Sequence, residues 1–305
     1  MMKRSWFPLG VIGLAGLFAA PAASAAGAEE FPLRPLPPGT DAAVVEEISY
    51  RRNNPDDRGF NRVVSRVAQP TLTVYRAEKP AHRGAAVVIC PGGGYEYVVI
   101  DREGHQLARY FQQHGLTAIV LKYRLPQPAD GAGVPLPQQD ALEAIRFVRV
   151  RAAEWGVDPA RVGVLGCSAG GHLAGSTAIL GAAETGDRPA FVALLYPVVC
   201  LDAPYAHAGS RQRLLGADPT PERVQEFSLE RRVRAGLPPF FLVHARNDQA
   251  VPWQNSGLLA DALRGAGVPV ELLLVARGGH GFALGRDPES ARWKDAFLAW
   301  LDALP

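Results

Sequence analysis

Cysteine and methionine are scarce in this chain, with 3 Cys and 2 Met among 305 residues. Cys90, Cys167 and Cys200 contain no C-x-x-C pair, and three thiols support at most one disulfide, so a disulfide scaffold is excluded. All three end apolar runs, where buried free thiols are expected. H-E-x-x-H and the other common metal-ligand spacings are missing, and no metal is expected. There is no G-x-x-x-x-G-K, and glycines at 163, 166, 170 and 171 do not fit G-x-G-x-x-G. Neither a phosphate cradle nor a dinucleotide cofactor is implied, and no other cofactor is expected. Surplus charge is lacking too. The formal net charge is +2, and a cut after Ala25 would remove Lys3 and Arg4 but no acid, leaving 0. Such a chain has no electrostatic reason to seek nucleic acid or anionic lipid.

What is present begins with a leader. Lys3 and Arg4 precede an apolar run from Trp6 to Ala20, followed by small residues that include Ala23-Ser24-Ala25. This predicts a signal peptide over residues 1–25, cleaved after Ala25, and hence a secreted or periplasmic protein. The run is short for a membrane span, and no cysteine in the first 30 residues offers a lipid attachment point. Residues 26–60, with four prolines in "FPLRPLPPGT" (31–40), read as an extended linker, and 61–305 as one domain.

Within that domain, edge strands are expected between Val63 and Arg76. Beyond them, short runs rich in Val, Ile and Leu alternate with helical patterns. Buried strands are expected at "AAVVIC", "LTAIVLKY", "RVGVLG", "PAFVALLYPVV", "PPFFLVHA" and "PVELLLVA". Helices are expected over 105–115, 137–156, 169–183, 253–267 and 289–304. That rhythm implies a mostly parallel sheet with helices on both faces. Residues 200–237 are polar and interrupt it; they read as a small insertion over the carboxyl edge of the sheet.

Gly166-Cys167-Ser168-Ala169-Gly170 lies where a strand becomes a helix. In that context G-x-S-x-G is a sharp turn that raises a nucleophilic hydroxyl, and the glycines remove side chains that would collide. A serine needs a base to take its proton and an acid to orient the base. In this topology they follow in the order Ser, acid, His. Asp248 follows the strand "FFLVHA" and lies 80 residues on (248 − 168); His280 follows "PVELLLVA" and lies 32 further (280 − 248). Asp202, after "YPVVC", is the alternative acid. His82, His105, His114 and His207 lie before or far from the required position, His244 is inside a strand, and His172 is one turn into the helix, so structural roles are expected for these six. "CPGGGY" (90–95) follows the first buried strand, so Gly93, Gly94 and Ala169 are the expected backbone donors to an oxyanion. Tyr95, Tyr97, Trp253 and Phe282 adjoin these loops and are expected around the mouth of the site, with faces suited to sugar rings.

From about Pro70 onward the chain resembles α/β-hydrolase carbohydrate esterases of the acetyl-xylan and bifunctional acetyl/feruloyl kind. These are relatives of the hormone-sensitive-lipase-like esterases. The resemblance rests on "CPGGGY", "LKYRLP", "DPARVGVLGCSAGGHLA", "YPVV", "PPFFLVHARNDQAVPWQNS" and "GGHGF". Pro91 stands where the lipase-like relatives carry His before the glycines, and Asn247 where many carry a second acid. The resemblance implies an α/β-hydrolase fold and a serine esterase acting on short-acyl esters of a carbohydrate such as xylan. Alternatives on the same residues are a prolyl-oligopeptidase-type exopeptidase, a general short-chain carboxylesterase, and a binding module that kept a hydrolase shell. A lipase would need a long apolar lid, which 200–237 is too polar to supply.

Overall fold

The computed structural model describes residues 22–23, 28–36, 46–51, 61–78, 83–127, 133–181 and 187–305. The expected leader therefore lies outside the described residues except for Ala22–Ala23. In chain order the first elements are β1 (Ala22–Ala23), β2 (Glu29–Pro32), β3 (Glu47–Arg51), β4 (Asn61–Ser65), β5 (Thr71–Tyr75) and β6 (Ala86–Cys90). Next come α1 (Gln106–Gln113), β7 (Thr117–Lys122), α2 (Leu136–Arg151), β8 (Val162–Cys167), α3 (Ala169–Ile179) and β9 (Val192–Leu195). The chain continues through α4 (Ala208–Leu215), α5 (Pro221–Phe227), β10 (Phe240–Ala245), α6 (Gln254–Gly265) and β11 (Val270–Val275). It closes with α7 (Pro288–Ala291) and α8 (Trp293–Asp302).

Nine strands form one sheet in the order β1-β2-β5-β7-β6-β8-β9-β10-β11, parallel from β7 to β11 and antiparallel beyond β7. Every residue of β6, β8, β9 and β10 is buried, which requires cover on both faces. The cover includes aromatic packing: Phe297 of α8 lies 5.5–6.3 Å from the rings of Phe111, Phe191, Phe241, Trp293 and Trp300. Parallel register pairs Cys90 with Gly166, Cys167 with Leu195, and Ala245 with Val275. The loops after β6, β8, β9, β10 and β11 therefore leave from one edge of the sheet, where α/β sheets build their sites.

Three expectations are corrected by the structure. The proposed linker contains β2, which pairs with β5, and Phe31 is buried in the main core. Four prolines hid a short strand, whose own proline sits at its last residue, a place an outlying strand tolerates. As a consequence β5 is flanked on both sides rather than being an edge strand. The final helix is interrupted at Arg292: a short α7, started by the reciprocal cap of Asp287 and Ser290, ends there and α8 begins at Trp293. The insertion at 200–237 supplies α4, α5 and a single 3-10 turn at Leu229–Arg231. It packs Val224 and Phe227 on Val198, Leu201 and Val251, which holds it against the loops at the carboxyl edge.

Candidate active site

Strand β8 ends at Cys167 and α3 starts at Ala169, so a single residue makes the turn. Ser168 occupies it at φ 54°, ψ −120°, a conformation that surrounding contacts must hold. Its N–H donates to Leu195 O at 2.9 Å. A Cβ on Gly166 would run into the carbonyl oxygen of Gly170, and one on Gly170 into the carbonyl oxygen of Cys90. Gly170→Ala is expected to lower folding stability by about 1–3 kcal/mol, the usual range for overpacking. Urea denaturation followed by tryptophan fluorescence checks this. Catalytic turnover should fall by more than the unfolded fraction explains, because Cys90 leads into the Gly92–Gly94 loop.

Ser168 Oγ donates to His280 Nε2 at 2.8 Å, and His280 Nδ1–H donates to Asp248 Oδ2 at 2.7 Å. The structure thus brings together the three residues expected from the sequence. Asp248 is the most heavily bonded of them. Its Oδ1 accepts the N–H groups of Ala250 and Val251, both at 2.9 Å, while His244 Nε2 lies 3.3 Å from Oδ2. Burial alone would raise this carboxyl's pKa. The hydrogen bonds from His244, His280 and Val251 outweigh it and hold Asp248 well below the usual carboxylate range. Asn247 Oδ1 accepts Gly279 N–H at 2.9 Å, tying the acid loop to the base loop. Asp202 is exposed and pairs with Arg231 instead.

Gly93 (φ 129°) and Gly94 (φ 65°) line a cavity of about 320 Å³ together with Ser168 and His280. Ala169 is the first residue of α3. Among the described residues the N–H groups of Gly93, Gly94 and Ala169 donate to no protein acceptor. Such free donors beside a nucleophile can stabilise charge developing on a carbonyl oxygen. The loop is braced from below: Gly92 N–H donates to Glu103 Oε2 at 2.9 Å, and Tyr123 O–H to Pro91 O at 2.7 Å. Tyr196 O–H donates to Glu103 Oε1 at 3.1 Å and accepts Ala283 N–H at 3.1 Å.

The expected aromatic mouth is largely corrected. Tyr97 lines the cavity. Tyr95 is buried, with its O–H donating to His172 Nδ1 at 2.9 Å. Phe282 is buried edge-on to Tyr196, ring centroids 4.7 Å apart. Trp253 lies outside the cavity wall with the Arg246 guanidinium over its ring. Adjacency in sequence to a catalytic loop does not determine which face a side chain takes.

Of the other histidines, His172 Nε2–H donates to Phe227 O at 2.8 Å, and burial pushes its pKa down to about 4. His105 is also pushed down to about 4, by burial first, and bonds the Tyr75 hydroxyl. His114 stacks on Tyr110, and His82 lies outside the described residues. Four residues at the site escaped the sequence reading: His244, Glu103, Tyr196 and His207. His244 had a visible signal, since it precedes the acid by four residues at the end of a strand. The other three are brought in only by tertiary structure.

A strand-turn-helix serine followed in the chain by its acid and base, at the carboxyl edge of a parallel sheet, defines the α/β-hydrolase class. Residues 72–263 match the BD-FAE family, and the chain belongs to it. It is 34% identical over 256 residues to endo-1,4-beta-xylanase B of Butyrivibrio fibrisolvens, a match spanning 80% of this chain and 39% of the xylanase. It is 33% identical over 242 residues to an acetylxylan esterase of Xylanibacter ruminicola, spanning 77% of this chain and 48% of that protein. The chain thus matches under half the length of either relative. The acetyl ester-xyloside bifunctional hydrolase of Caldicellulosiruptor lactoaceticus superposes with a TM-score of 0.71 at 31% identity, covering 95% of this chain and 98% of that one. The protein is thus of the α/β-hydrolase type, and its relatives include proteins named as ester hydrolases.

Proposed function

We propose that the protein hydrolyses short-acyl esters, chiefly acetyl esters, of a carbohydrate such as xylan through a covalent intermediate on Ser168. Ser168 Oγ attacks the ester carbonyl while His280 Nε2 takes its proton, and Asp248 fixes the imidazole tautomer. The oxyanion forms against the N–H groups of Gly93, Gly94 and Ala169. Collapse breaks the bond to the alcohol, which leaves with the proton from His280. Water then repeats the sequence on the acyl-enzyme and frees the acid.

The observation that carries this reading is the hydrogen-bonded series Ser168–His280–Asp248 opening into a small cavity. Similarity to an acetylxylan esterase supports the choice of acyl group and alcohol. The leader-like amino terminus supports work in a secreted or periplasmic setting, where a polymeric substrate is accessible.

Hydrolysis of p-nitrophenyl esters from acetate to decanoate, beside acetate release from acetylated xylan, tests the reading. Each methylene that fits an apolar wall helps by about 0.8 kcal/mol, so a rate that falls with chain length marks steric exclusion. The expected profile peaks at acetate and includes release from the polymer. Rates climbing to decanoate, with no acetate from xylan, would overturn it. A general short-chain carboxylesterase is the second reading. It is favoured by the burial of Tyr95 and Phe282, which leaves Tyr97 as the one cavity-lining residue among the four expected aromatics. Short-chain activity without release from the polymer would establish it.

A further inference from the structure

His207 lies in the insertion, 39 residues beyond Ser168 in sequence (207 − 168), yet it lines the same cavity as Ser168, Gly94 and His280. It is the N-cap of α4. Its Nδ1 accepts Ser210 N–H at 3.1 Å and lies 2.9 Å from Ser210 Oγ. A backbone N–H can only donate, so Nδ1 is the acceptor and the proton of the neutral ring is on Nε2. Among the described residues Nε2–H has no protein acceptor. The ring is half-buried, and its Cε1 edge faces Gly94 and Gly209, whose missing side chains keep the space in front of it open.

Burial first, and the positive charge that His280 can carry second, hold the His207 pKa below its usual value. That direction agrees with a ring whose Nδ1 accepts Ser210 N–H, as only the neutral form can. His207 and His280 line one cavity. The alcohol departs toward His280, which must protonate it, and so into the cavity that His207 lines. Arg102 and Arg213 also line the cavity, and Arg213 is paired with Glu96 at 2.9 Å. A neutral N–H suits an uncharged oxygen such as a hydroxyl or ether.

We propose that His207 donates a hydrogen bond from Nε2 to the alcohol portion of the ester, and so selects esters whose alcohol bears a further hydroxyl or ether oxygen near the reacting bond. This rests on the esterase reading of the site and narrows its substrate to polyhydroxylated alcohols. Sequence spacing could not have shown it, since helix capping fixes the tautomer and the fold supplies the proximity.

The test uses the full chain and three acetates that share one acyl group: ethyl acetate, glycerol monoacetate and a methyl mono-O-acetyl-xyloside. His207→Asn retains a good N-cap for Ser210 N–H while removing the Nε2 donor. The ratio of kcat/KM for each hydroxylated acetate to that for ethyl acetate should fall about tenfold, the size of one lost hydrogen bond. The pH profile on ethyl acetate should keep its shape, because His280 remains the base. Equal losses on all three esters, or no loss on any, would overturn the proposal. If wild-type enzyme ignores the xyloside but prefers glycerol monoacetate to ethyl acetate through His207, the carbohydrate reading fails while this one stands. If it cleaves the xyloside and the variant shows no selective loss, the reverse holds.

Discussion

Ser168→Ala is expected to remove on the order of 10⁶ of turnover, by analogy with other triads whose members act as a unit. The hydroxyl at this position is held 2.8 Å from His280 Nε2 by the strand-to-helix turn at φ 54°, ψ −120°. Alanine keeps the turn and removes the atom that attacks. His280→Ala should cost about as much, and the double variant little more, because either loss breaks the same proton transfer. The measurements are p-nitrophenyl acetate turnover and labelling by a fluorophosphonate, with urea denaturation to show that each variant is folded. Turnover within tenfold of wild type in folded Ser168→Ala would place the nucleophile elsewhere.

Asp248→Asn should lower kcat by about 10⁴. The Asp248 side chain is fully buried, and each of its oxygens faces only donors: Ala250 and Val251 N–H on one, the two histidines on the other. An amide must turn its NH₂ toward one of these pairs. Turned toward His280, it favours the imidazole tautomer with the proton on Nε2, which cannot accept from serine. Turned the other way, it leaves buried N–H groups facing one another, so some stability is lost as well. Asp202→Asn, on an exposed residue paired with Arg231, should stay near wild type. A near-normal rate in Asp248→Asn with a crippled Asp202→Asn would reverse the assignment. Asp248 is held well below the usual carboxylate range, so it stays ionised through mild acid. Protonated imidazole cannot accept from serine, so kcat/KM should fall as pH falls with the slope of one proton, that of His280.

The triad was readable in the sequence because each member follows a strongly apolar parallel strand, and the register of such strands brings their carboxyl ends to one edge. The glycines around Ser168 and in 92–94 were readable for a related reason: close backbone approach tolerates no side chain. Other features resisted. β2 was obscured by the composition of the segment after it, since four residues give too short a pattern to outweigh four prolines. Tyr95 and Phe282 were misplaced because loop residues have no periodicity, so their orientation depends on partners such as His172 and Tyr196 that are far off in the chain. Glu103 and His207 bear no mark at all: the contacts of Glu103 cross 11 and 93 residues of sequence, and His207, bonded to Ser210 three residues on, reaches the Ser168 cavity only through the fold.

Glu103 also bears on how such an enzyme can be re-engineered. One buried side chain holds Gly92 directly and, through Tyr196, holds Ala283 next to Phe282 and the base loop. The donor loop, the segment after β9 and the histidine loop are therefore not interchangeable modules. Grafting any one of them from another scaffold without the other two would strand a buried acceptor or donor, and selection for altered specificity must either leave this joint alone or replace all three parts together.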